Sequence, residues 1–201
     1  MQFFTIVLSL VGLLTLALGA AVQNDLPYPL VPFEYTGALG GHEVQLNGTV
    51  QDIFAQMKEL HPDFDVDTLP DSSVGNNAND IALDSRDVAS KHHYFCWPVK
   101  GQTWERANTN VIADGINYLR KMNICNVGGQ SCVRISCSYR GAIFLCNDNP
   151  DTIYPRCPYI ASYASDISKN CLTSGPFNAR QTCGQEFDTD GYNVIVRAAD
   201  C

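Results

Sequence analysis

The stretch RISCSYRGAIFLCNDN, Arg134 to Asn149, sets the reading of this chain. Two β-rich runs, CVRISCSY and AIFLCND, flank Arg140-Gly141, which is the pattern of a β-hairpin. Side chains on a strand alternate between faces. A two-residue turn at Arg140-Gly141 or at Gly141-Ala142 therefore puts Cys137 and Cys146 on the same face, and the second register sets them directly opposite. Either they pair across the hairpin, or each bonds a helix cysteine such as Cys171 or Cys125. A reactive thiol is the competing reading. It needs a nearby His, Lys or helix N-terminus to lower its pKa, and a histidine base if it is to act as a nucleophile. The histidines of this region, His92 and His93, are adjacent and lie ahead of its first cysteine. The hairpin therefore reads as a stapled structural unit.

Working outward, NTNVIADGINYLRKMN places Ile112, Ile116 and Leu119 on one helical face, with Asn108 or Thr109 as cap and Arg120 and Lys121 in the last turn, where cations suit the helix dipole. Gly115 costs a helix about 1 kcal/mol against Ala, so its place there predicts close approach to a strand or another helix. PYIASYASDISKNC opens with Pro158 at a helix start and turns Ile160, Ala164, Ile167 and Cys171 inward. HHYFCWPV and the closing YNVIVRAADC read as strands. The expected fold is α+β: a disulfide-stapled sandwich in β-α-β-β-α-β, ferredoxin-like order, with one antiparallel sheet and two helices on one face.

Ahead of this unit the chain differs. Residues 1–21 read as a secretory signal peptide, with an apolar run from Phe3 to Leu18 and small residues at Gly19, Ala20 and Ala21. Residues 22–89 read as an acidic leader or pro-segment. Within it, 22–46 is expected to be extended or disordered, and 63–90 is a polar linker with Arg86 as a candidate processing site. One amphipathic helix falls near 49–60, where Val50, Ile53, Phe54, Met57 and Leu60 share a face and Thr49 with Asp52 resembles a capping box. Asn47-Gly48-Thr49 is a glycosylation sequon at Asn47. The cysteine-rich α+β domain is expected over 90–201.

All nine cysteines follow position 95. With a secretory leader, disulfides are the default. Eight are expected to pair (Cys96, Cys125, Cys132, Cys137, Cys146, Cys171, Cys183 and Cys201). Cys157, in YPRCPYI, is expected to stay unpaired, and the protein to be a monomer unless Cys157 cross-links copies. No C-x2-C spacing suggests zinc, and no metal is expected. NVGGQS lacks a Walker lysine and SCSY is not a nucleophile elbow, so neither a cofactor nor a serine triad is indicated. Carboxylates are the remaining catalytic candidates: Asp148 with Asp151, Asp188 with Asp190, or Glu105 with Arg106 and His93 in a ribonuclease-like site. Asx-Pro and Asp-Gly runs more often make turns.

The formal charge of −8 is unevenly spread. Residues 1–86 carry two basic and eleven acidic residues, and 87–201 eleven basic and ten acidic. A nearly neutral domain has no basic excess to drive nucleic-acid binding, and no membrane association is expected once a signal peptide is removed.

The region from Tyr94 to Cys201 resembles the killer-toxin-like fungal effectors, a family of small secreted cysteine-rich proteins that includes virally encoded toxins of smut fungi. ANTNVIADGINYLRKM, CVRISCSYRGAIFLCNDN and DGYNVIVRAADC carry the resemblance. It implies a disulfide-bonded α/β sandwich with no known catalytic site, acting extracellularly on a protein or glycan of a plant host or competing microbe. Tyr139 and Arg140 at the hairpin turn are the candidate contact residues. The alternatives are a secreted hydrolase or ribonuclease, and a cell-surface inhibitor or adhesion module.

Overall fold

A computed structural model describes residues 25–72 and 90–201. The signal-peptide reading of 1–21 and the Arg86 processing site lie outside the described residues.

The described chain is mixed α+β, with three helices, a mostly antiparallel main sheet and four disulfides. The strands are β1 (Leu30–Val31), β2 (Glu34–Leu39), β3 (His42–Asn47), β4 (Lys91–Cys96), β5 (Ala107–Asn108), β6 (Ser131–Ser138), β7 (Gly141–Asn147), β8 (Leu172–Ser174), β9 (Arg180–Thr182), β10 (Gly184–Asp188) and β11 (Tyr192–Ala198). The helices are α1 (Val50–Leu60), α2 (Thr109–Arg120) and α3 (Cys157–Asn170). The main sheet runs β1-β6-β7-β11-β10-β4, antiparallel except where β1 lies parallel to β6. β2–β3 form a hairpin, and β5-β9-β8 a small third sheet.

The ferredoxin-like order is therefore corrected. GQEFD forms an additional strand, β10, which pairs with β11 on one side and β4 on the other, so the domain's opening strand ends at the edge of the sheet. The acidic leader also departs from expectation. Instead of lying extended or disordered ahead of the domain, residues 25–72 give β1 to the main sheet and a third helix to its packed face. Phe33, Tyr35, Leu39, Val50, Ile53, Phe54 and Met57 join the core that α2, α3 and the inward residues of β6, β7 and β11 also build. An amphipathic helix cannot cover its own apolar face; this one covers it against the stapled unit.

Local chemistry accounts for each helix. At α1, Thr49 Oγ1 accepts from Asp52 N–H and the Asp52 carboxylate accepts from Thr49 N–H at 2.8 Å, completing the capping box. Asn108 caps α2 by accepting from Asn110 N–H at 2.8 Å. α3 carries Pro158 in its first turn and Lys169 in its last.

β7 and β11 are buried on both faces. Ile143, Leu145, Tyr192, Val194 and Val196 meet the helices, while Ala142, Phe144, Cys146 and Ile195 form a second cluster on the far face with Trp104, Cys132, Cys137 and Cys183. Residues 25–29 and 97–106 close over that face, where Trp104 Nε1 donates to Asp25 O at 2.8 Å and Trp97 Nε1 to Trp104 O at 3.1 Å.

Gly115 shows why its helix accepts the entropic cost. A Cβ there would overlap Ser136 Oγ on β6 and crowd Ile143 Cδ1 at 3.2 Å. Gly115→Ala should therefore destabilise the protein by about 1–3 kcal/mol, as overpacking does, although alanine is the better helix former. Urea denaturation checks this, and a gain in stability would show that the contact yields freely.

Candidate functional site

The hairpin at the centre of the sequence argument turns one residue earlier than expected. Tyr139 and Arg140 are the turn residues, with φ of 41° and 63°, and Ser138 pairs with Gly141. Both central residues in the left-handed region is the arrangement that fits a twisted hairpin and usually selects Asn-Gly. A bulge at Ile135 then shifts the register, so Cys137 faces Ala142 and Cys146 faces Cys132. Cys137 and Cys146 do share a face, but neither bonds the other.

The four disulfides are Cys96–Cys171, Cys125–Cys157, Cys132–Cys146 and Cys137–Cys201. This corrects the assignment of the odd thiol. Cys157 opens α3 and bonds Cys125, whereas Cys183 is the free cysteine. Cys183 is fully buried among Trp104, Phe144 and Ile195. Burial pushes its thiol up to about 12, outweighing the pull of Arg197 and Arg106. A thiol so protonated is a poor nucleophile at neutral pH.

Each bridge shortens the unfolded chain according to the loop it closes. Taken singly, closing 75 residues (Cys96–Cys171) contributes about 4.5 kcal/mol and closing 14 (Cys132–Cys146) about 3 kcal/mol. The double variant Cys96→Ser/Cys171→Ser should lower the thermal midpoint more than Cys132→Ser/Cys146→Ser, by differential scanning calorimetry. The reverse order would show that local packing outweighs loop entropy.

The carboxylates singled out in the sequence do not converge. Asp148 lies on the far face, within 3.4 Å of Asn193 Nδ2, and burial raises its pKa against that bond and one from Tyr28. Asp188 lies on the helix face, where Tyr159 donates to it at 3.2 Å, Tyr163 hydrogen-bonds the same oxygen, and its other oxygen accepts from Asp190 N–H at 2.7 Å. Glu105 pairs with Arg140 at 3.1 Å, Arg106 lies 4.4 Å over the Trp97 ring, and His93 stacks on Phe187 at 4.5 Å. Three sets of neighbours hold Glu105, Arg106 and His93. Asn47 is exposed at the end of β3.

Sequence reading passed over a different carboxylate. Glu186, on β10 opposite Tyr94 of β4, is only 5% exposed, and its Oε2 has no hydrogen-bond partner among the described residues. Burial lifts its pKa to about 7; Lys91 opposes the shift and Asp166 reinforces it. Lys91 is itself ion-paired with Asp166 of α3 and lies 4.5 Å over the Tyr163 ring. The native state thus keeps a proton on Glu186 between about pH 4.5, where the unfolded chain releases it, and about 7. Over that window stability falls as pH rises. Thermal midpoints should decline from pH 5 to 7.5, and Glu186→Gln should flatten that slope; an unchanged slope would assign the titration to another group.

Among the described residues, two aromatic side chains stand almost wholly in solvent. Tyr139 is 91% exposed at the β6–β7 tip, and Phe177 is 103% exposed between β8 and β9, with φ of 58°. Both tips lie against the first turn of α2. A Cβ at Gly141 would come within 2.7 Å of Val111, and Thr109 Oγ1 donates to Arg180 O at 3.3 Å. Beside Tyr139, a cleft of about 400 Å³ is lined by Arg134, Arg140, Arg197 and Phe144, with Asp25, Glu105 and Asp200 supplying the opposite charge. Arg140 was legible as a turn residue and Tyr139 as its exposed neighbour, although Tyr139 proves to be in the turn itself. Phe177 was missed, although Gly175-Pro176 ahead of it is a turn signal.

Among the described residues no group of His, Cys, Asp or Glu could hold a metal ion, and no helix is long and apolar enough to cross a membrane. Comparison with protein-family models, curated proteins and solved structures returned no match.

Proposed function

We propose that this chain is a secreted binding protein acting outside the cell, as an effector or toxin of fungal type, on a protein or glycan of a plant host or competing microbe. Contact is made through the end of the fold that carries Tyr139 and Phe177. The observation carrying this reading is that two fully exposed aromatic residues each occupy left-handed backbone, where glycine or asparagine would cost less. Strain of this kind persists where the surrounding structure enforces it, and it concentrates at functional sites. Tyrosine and arginine are enriched among the residues that dominate binding interfaces, and Arg140 lies beside Tyr139 in the same turn. Four disulfides suit an oxidising compartment, and the resemblance to killer-toxin-like effectors points the same way.

The test is infiltration of purified oxidised protein into leaves and its addition to competing fungi, with a reduced and alkylated sample as control. Tyr139→Ala and Phe177→Ala should abolish the response while changing stability by less than about 0.5 kcal/mol, as exposed positions do. Tyr139→Asn/Arg140→Gly is the sharper variant. It supplies the turn residues the geometry favours and loses only exposed ion pairs, so it should gain about 1 kcal/mol and still lose activity. Full activity in that variant would remove this end from the contact surface. Turnover of RNA, glycan or peptide by the wild type, lost in Glu186→Gln or Asp148→Asn, would replace binding with hydrolysis.

A further inference from the structure

The four disulfides all lie within residues 90–201, and residues 25–72 contain no cysteine. The chain is therefore built in two unequal ways. A body of 112 residues is cross-linked four times. Against it lies an arm whose only covalent tie is the connection through 73–89.

The arm is seated by specific contacts. Gln51 of α1 donates from Nε2 to Ser136 Oγ at 2.9 Å and accepts from Cys137 N–H at 3.1 Å, so one side chain satisfies both polar groups beside the β6 bulge. Phe54 meets the edge of Tyr118 on α2 at 5.3 Å. At the far end, Ser72 N–H donates to Arg120 O at 2.7 Å, Lys121 Nζ to Leu69 O at 2.6 Å, and Arg156 to Ser72 O at 2.8 Å. Lys121 also faces Asp71 at 3.8 Å. Charge follows the same division: the arm holds nine acidic residues and one lysine, and the body eleven basic and nine acidic residues.

We propose that residues 25–72 are a releasable arm, a non-covalent acidic segment that adds β1 to the edge of β6 and seats apolar side chains, Val50, Ile53 and Met57 among them, in a docking groove of the stapled body formed by α2, the β6 bulge and the loop after α2. The groove takes an acidic amphipathic helix with its flanking strand, and the arm of a second copy fits it as well as its own. Opening of the arm leaves the body folded, because the cross-links that constrain the body's unfolded state do not reach the arm.

Two measurements on the full chain decide this. Native-state hydrogen exchange should show amides of α1 exchanging through an opening that leaves β7 and β11 protected. In a second form, a protease site placed within 73–89 is cut after folding, and a fluorescent synthetic peptide of residues 25–72 is added. The peptide should replace the resident arm under native conditions, faster at high salt, while the body keeps its near-ultraviolet circular dichroism. If α1 exchanges only together with β7 and β11, or if the labelled peptide enters only once the body unfolds, the arm is an integral part of one cooperative core and the proposal falls.

Discussion

Ile135 and Ser136, successive residues of β6, both serve the helix side of the sheet, and the structure depends on that bulge. A regular strand would alternate and send one of them to the far face. Instead Ile135 enters the main core, and Ser136 Oγ meets Gly115 of α2 and Gln51 of α1. The extra residue also lets Cys132 and Cys137, five positions apart, lie on the same far face, where one bonds Cys146 and the other Cys201. Helix packing, hairpin register and two of the four disulfides meet at this single irregularity.

The far face shows the other side of this arrangement. Its cluster is built largely from disulfide sulfur, Trp104, Phe144 and Ile195, closed over by chain that is neither helix nor strand. A small domain has limited apolar area to bury, and here covalent links supplement it. The thiol with no mate, Cys183, is kept protonated in the same cluster. At the surface, Tyr139 and Phe177 stand at the two tips beside α2, with the arginine-lined cleft adjacent to Tyr139.

The helices were legible because their apolar spacing is set by a local period. Val50, Ile53, Phe54 and Met57 mark α1, and Ile112, Ile116 and Leu119 mark α2, whatever the rest of the chain does. Strand β10 was hidden because GQEFD buries a glutamine, which donates to Asn193 at 2.9 Å, and a glutamate, whose surroundings, Lys91 and Asp166 included, come from other elements. β1 was hidden by its length, two residues that are a strand only because β6 lies alongside.

By itself, the sequence determined where covalent bonding occurs, with every cysteine after position 95, which faces the helices bury, and that Arg134 to Asn149 folds back on itself. Those properties depend on neighbours within a few residues. Only the tertiary structure decided which sulfurs meet, that Cys183 and not Cys157 is left over, that the leader supplies a strand and a helix to the core, and that Tyr139 and Phe177 share one end of the molecule. Each of those depends on register and packing between segments far apart in the chain. One inserted residue at Ile135 reassigns every facing pair beyond it, and no local pattern encodes that insertion.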